Sequence, residues 1–352
     1  MIKIQKYLYF CFLIFSAPLW AKTYPAQGPL TVRTQNPVYL QTANLDPVRA
    51  LTLPDGVLEM QVNSAYSNMY EYDFNKTYNL NMDMELWRVD WLFTYGLLPG
   101  MDVGLDLPFL HMNGGFMDAF IQDYHHFFGF PNGGRNFIPN GIFNDRLSEN
   151  GSPKYLVGPQ DLNLGDITVF IKNLVTDEGE KMPAVAWRFG FKIPTGDQRK
   201  GMGSGNPGFG FGLAAEKSIQ RVHGYLNLNY LEDGGNNALS GLMNMEYFDF
   251  SLAGEYSFSN HVGGILQLTG GTPRLKGTGM VTWDGVPMDF IVGVRGDELW
   301  GRFADPFFWQ VGFSEDILSE GPSVDFTVYL SVGVRFDTKH REFYKGDMWG
   351  KL

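Results

Sequence analysis

Cysteine is almost missing from this sequence: the single one, Cys11, lies within the first 21 residues. Past that point disulfides and thiol chemistry are excluded. Basic residues are also in short supply. Lys and Arg number 27 against 38 Asp and Glu, and setting aside Lys3 and Lys6, the only charges in residues 1–21, moves the formal net charge from −11 to −13. That balance excludes nucleic acid as a partner, because phosphate contacts need a basic face. Long apolar runs are scarce as well. The run "YLYFCFLIFSAPL" follows Lys3 and Lys6 and is too short to cross a bilayer as a helix. Residues 1–21 are therefore expected to be a cleaved signal peptide, with Ala21 as the small residue at the cleavage point.

From residue 56 onward the chain is dominated by period-two alternation. In "VDFTVYLSVGVRF", Val324, Phe326, Val328, Leu330, Val332, Val334 and Phe336 share one face; Asp325, Thr327, Tyr329, Ser331, Gly333 and Arg335 share the other. "AVAWRFGFKI" and "MDVGLDLPF" behave alike. About twelve such segments are expected, beginning near residues 57, 79, 101, 165, 184, 207, 222, 246, 261, 288, 305 and 324. A parity change around Leu86 and Trp87 predicts a β-bulge.

Connections sort by parity. "LLPG", "SIQR" and "SN" are short, whereas "PTGDQRKGMGSGNPG", "LEDGGNNALSGLMN" and "GGTPRLKGTGMVTWDGVP" are long. Short turns at one end and long loops at the other mark an all-β, antiparallel transmembrane β-barrel of the outer membrane of a Gram-negative bacterium. Tyr95 and Trp283 are candidates for an interfacial aromatic girdle. The expected layout is signal peptide 1–21, a periplasmic arm or plug over 22–55, barrel over 56–338 and a tail over 339–352.

One stretch breaks the alternation: "GGFMDAFIQDYHHFFGFPNGGR", Gly114 to Arg135. Its apolar spacing predicts one short helix, closed by Gly129 and Pro131, within a long extracellular connection. Phe116, Phe120, Tyr124, Phe127, Phe128 and Arg135 are candidates for a gate or plug. Asp118, Gln122 and His126 recur at i, i+4 and i+8, but they match no recognised metal-ligand pattern. No metal site or cofactor is expected.

This stretch with its lead-in "LDLPFL", together with "GPLTVRTQNPVYL" (Gly28–Leu40) and "FKIPTGD", resembles an uncharacterised family of proteobacterial outer-membrane proteins, known only as a domain of unknown function. The resemblance covers essentially the whole chain after the leader. It implies a β-barrel and an outer-membrane address, and no activity.

By parity the lumen candidates are Asp83, Glu85, Arg88, Asp102, Asp106, Lys172, Arg188, Lys192, Arg295 and Arg335. Their mixed signs predict ion pairs rather than an ion-selective tunnel. The expected function is a channel or transporter for a small solute, apolar ones included, gated or plugged by the 111–164 connection, with no enzymatic activity. The alternative is a non-conducting structural or surface-interaction barrel. A lipid hydrolase built on His111 is the third reading, but no serine stands at the tops of the neighbouring strands; His223 and His261 begin upward strands, at the wrong end for outer-leaflet substrate. Expected partners are outer-membrane lipids and lipopolysaccharide, the barrel assembly machinery during biogenesis, and an unidentified solute.

Overall fold

The computed structural model describes residues 24–129, 132–297, 306–316, 321–322 and 324–343. The expected leader, Pro131 at the helix end and tail residues 344–352 lie outside them. Twelve strands form the wall: β1 Val57–Phe74, β2 Tyr78–Leu98, β3 Met101–Asn113, β4 Ile167–Thr176, β5 Ala184–Ile193 and β6 Gly208–Ile219. The others are β7 Val222–Asp233, β8 Glu246–Ser257, β9 Val262–Gly271, β10 Met288–Gly296, β11 Phe307–Asp316 and β12 Phe326–Asp337. Each begins within two residues of its expected start.

Neighbours pair antiparallel around the wall, and β1 pairs with β12 from Val57↔Asp337 to Asn68↔Phe326, so the sheet closes on itself. Closure leaves no open edge in the ring, the condition for a sheet to cross lipid. Outward positions are apolar and exposed: Leu226 and Leu228 on β7, Leu252 on β8, and Val328, Leu330 and Val332 on β12. Inward positions between them are polar and buried, among them Asn227, Asn229, Ser251 and Ser331.

The expected bulge in β2 is absent. Leu86 and Trp87 pair with Ser67 and Tyr66 in unbroken register. What changes there is the polarity of a face. Arg88 and Asp90 point inward, and so do Leu80, Met82, Met84 and Leu86, all buried. β2 is 21 residues long, about twice the 9–11 needed for a tilted crossing. Its first half stands above the membrane, where the barrel interior is an apolar core rather than a polar lumen. Trp283 belongs to that core, 1% exposed, and not to an interfacial girdle.

Candidate functional site

Residues 24–55 run inside the ring, up one side and down the other. Tyr24 N–H bonds to Gln220 O in the short β6–β7 turn. The segment rises past Glu255, which accepts from the Gln27 and Gly28 amides, and past Gln267, which accepts from Leu30 N–H at 2.9 Å. It turns at a short helix, α1 Pro37–Leu40, which Asn36 caps by accepting from Val38 N–H, with proline at the first position. It descends past Asp233, Glu216 and Asp102, which accept from the amides of Ala43, Ala50 and Leu53 at 2.8–2.9 Å.

This backbone has almost no secondary structure, yet it is buried where water cannot satisfy it, so each amide and carbonyl needs a partner. The wall supplies them. Arg295 donates to Pro29 O, Arg274 to Tyr39 O, Lys192 to Gln41 O and Lys172 to Leu51 O. Arg188 donates to the carbonyls of Leu45 and Asp46. A lumen of both signs is what an irregular chain requires: acceptors for its N–H groups and donors for its carbonyls.

Eight of the ten lumen candidates therefore face this segment or pair beside it. Asp102 binds Lys172 at 3.0 Å, Arg335 binds Glu59 at 2.8 Å, and Arg88 binds Asp90 at 2.7 Å. Lys192 reaches Asp166 at 2.8 Å and Asp233 at 3.1 Å. Asp106 accepts from Arg33 of the inner segment at 2.9 Å, and Arg33 also grips Asp46. Arg33, Asp46 and Arg49 had no signal in strand parity, since their segment has no period. The glycine row "GFGFG" was a usable sign. Gly212 leaves Arg188 room to meet Asn229 at 2.8 Å, and a Cβ there would sit 2.4 Å from Asn229 Oδ1. A cavity of about 120 Å³ remains between the two limbs and the wall, lined by Arg33, Asp46, Gln61, Thr94, Phe170 and Arg335 among others.

The loop end is sealed separately. Val38 at the apex of the inner segment enters one apolar cluster with Leu80, Met82, Met84, Met112, Met202, Met243 and Trp283. A hairpin of Asn144–Glu149 and Ser152–Val157 pairs with the upper part of β2 and adds Leu147, Tyr155 and Val157 to the same cluster. Tyr155 hydroxyl accepts from Gln41 Nε2 at 3.0 Å and donates to buried Asp145 at 3.4 Å. Burial pushes the Asp145 carboxyl up to about 7, against the opposing pull of the Tyr155 bond.

The described residues of the stretch Gly114–Arg135 are neither in the lumen nor over the mouth. Its helix, α2 Asp118–Phe128, packs on the outer wall. Phe120 and Tyr124 lie 5.7 and 5.4 Å from the ring of outward Phe326, and Phe116 lies 5.5 Å from Tyr66. Asp83 and Glu85, expected in the lumen, are on that outer face too, because β2 parity places them opposite Arg88. They are buried by the helix rather than by the barrel. Glu85 accepts from Tyr66 hydroxyl and from Met117 N–H at the helix start. Gly115, at φ +67°, passes so close to Glu85 that a Cβ would overlap its carboxylate. Arg135 is the pin: 3% exposed, it binds Asp118 at 2.8 Å, Asn68 at 2.6 Å and Asp325.

Asp118 thus faces the wall, Gln122 bonds Asn140, and His126 is exposed. Among the described residues no group of three His, Cys, Asp or Glu is placed to hold a metal. His111 bonds Asn113 at 2.9 Å, and His223 is buried between Ser218 and Ser257 at the turn end.

The family described as "Protein of unknown function (DUF3187)" matches residues 7–336. No curated protein matches the chain. Among solved structures, an outer-membrane channel from Pseudomonas putida F1 is similar at TM-score 0.53 and 12% identity, over 83% of this chain and 100% of that one. The NanC porin is similar at TM-score 0.45 and 7% identity, over 81% and 100%. The first likeness is one of fold: a closed outer-membrane β-barrel.

Proposed function

We propose, for a chain that belongs to the DUF3187 family of outer-membrane barrels of unknown function, that it is a channel for a small solute, closed at rest by its own residues 24–55. The observation that carries this reading is that the apex of the inner segment is part of the mouth seal. Val38 is fully buried in the Met-rich cluster, and Gln41 bonds Tyr155 of the mouth hairpin. Displacing one segment thereby unblocks the lumen and loosens the mouth together. The Met side chains at the mouth are unbranched and adapt to varied apolar shapes, so apolar solutes are included in the class that enters. The similar barrel from Pseudomonas putida F1 is an outer-membrane channel, which agrees with the reading. The 111–164 connection contributes through its hairpin, not through its helix.

Ala50 of the inner segment sits among Ala184, Ala186 and Ala214 of the wall. Cysteine pairs, Ala50→Cys with Ala186→Cys or with Ala214→Cys, in a Cys11→Ser background, offer small-for-small cross-links. The oxidised protein should be silent in planar bilayers, and reduction should restore channel events at the wild-type frequency. Equal conductance before and after reduction would show that the segment does not gate. Silence of wild type and of both states of the pairs would support the non-conducting barrel instead, a reading favoured by the two-ended closure.

A further inference from the structure

The helix α2 carries three faces where a helix on a soluble wall needs two. Met117, Asp118, Ile121 and His125 are buried toward the barrel. Gln122 and His126, four residues apart, form a polar face, and Gln122 bonds Asn140 of the following loop, whereas Asp123 borders the arc of Phe120 and Phe127. The third face is aromatic: Phe116 is 78% exposed, Phe120 52% and Phe127 80%. Phe120 and Phe127 lie about 20° apart around a 3.6-residue helix, and Phe116, just before the helix start at Met117, continues their side along Tyr66.

The aromatic face has a direction. Phe116 rests on Tyr66, and Phe120 on Phe326, which itself stacks on Phe313 at 5.8 Å. Tyr66 is in register with Trp87 and Val328, on the outward apolar band one step below Phe326. The pin Asn68, with its partner Asp118, is in register with Phe326, and Arg135 lies a step further from the membrane, over the ring of Tyr70. The aromatic side is therefore continuous with the outward apolar wall and Arg135 lies above it, an arrangement that suits an interfacial helix lying in the membrane plane.

We propose that α2 is a lipid-seated strap: Phe116, Phe120 and Phe127 enter the outer leaflet at the boundary of acyl chains and headgroups and fix the height of the barrel. The occupant of this face is lipid, because the face is continuous with the lipid-facing wall. This inference rests on the outer-membrane barrel fold and is independent of channel activity. Nitroxide labels at single cysteines replacing residues 116, 120, 122, 126 and 127, in a Cys11→Ser background, test it in vesicles of phosphatidylethanolamine and phosphatidylglycerol. A label at Leu330 serves as the lipid-facing reference, and heat-modifiable gel mobility checks folding. Positions 116, 120 and 127 should collide with oxygen in preference to a water-soluble nickel chelate, as at Leu330, at a ratio several-fold above that at 122 and 126. Nickel access at 116, 120 and 127 equal to that at 126 would overturn the proposal. Shielding from both reagents with dipolar broadening between labels would assign the face to a second copy, and would overturn it equally.

Discussion

Arg49 and Glu216 show how one buried ion pair holds several groups at once. Arg49 Nη2 binds Glu216 at 2.6 Å, and Arg49 also donates to Ala26 O, tying the descending limb to the rising one. Glu216 accepts in addition from Ala50 N–H. Arg49→Ala leaves that carboxylate buried without its cation, which costs about 3–5 kcal/mol. The expected result is faster amide exchange over residues 45–53 with little change in the strands. Arg49→Ala combined with Glu216→Ala should recover part of the loss, because no lone charge then remains. Unchanged exchange in Arg49→Ala would mean that the pair does not hold the segment. The wall half of this pair obeys strand parity, whereas Arg49 lies in a chain without period. Asp83 and Glu85 mark the opposite limit: parity assigns a face, but it cannot tell that a strand outlasts the membrane and is covered from outside.

Elements were more legible than their neighbours. The strand starts and the helix ending at Gly129 follow from period and caps, which are local properties. The surface that covers an apolar helix face is not local, and so the strap's position on the outer wall had no sequence signature. The mouth hairpin had no clear one either, because its strands are six residues each and pair with the projecting part of β2. Its pH response follows from Asp145. Burial holds this carboxyl near 7, above its ordinary value, so the docked hairpin favours the protonated form. Docking is fully supported below the ordinary carboxylate range and weakens as pH rises through about 7. Amide exchange in residues 144–157, corrected for intrinsic rates, should therefore accelerate between pH 6 and 8 by comparison with strand amides. Asp145→Asn should remove that pH dependence; if it persists unchanged in the variant, another group controls the hairpin.

For the whole molecule, the ring and its filling are separable in physical terms. A twelve-stranded wall closes through backbone pairs between strands, and no ladder pair in it involves residues 24–55. The inner segment instead consumes the inward side chains. If residues 24–48 are removed, Arg188, Lys192, Arg274 and Arg295 lose backbone partners but face a space wide enough for water, while Lys172, Asp102 and Glu216 keep residues 49–53. Their mutual pairs, Asp102 with Lys172 and Lys192 with Asp233, persist. Deletion of residues 24–48 should therefore preserve the folded, heat-modifiable barrel at a lower melting temperature, rather than collapse it. The same deletion takes Val38 and Gln41 from the mouth, so conductance should rise well above wild type and fall again as pH drops below about 6, where protonated Asp145 reseats the hairpin. A deleted barrel that remains folded and sealed at every pH would show that the apolar mouth closes without help from the segment, and would remove the coupling on which the channel reading depends.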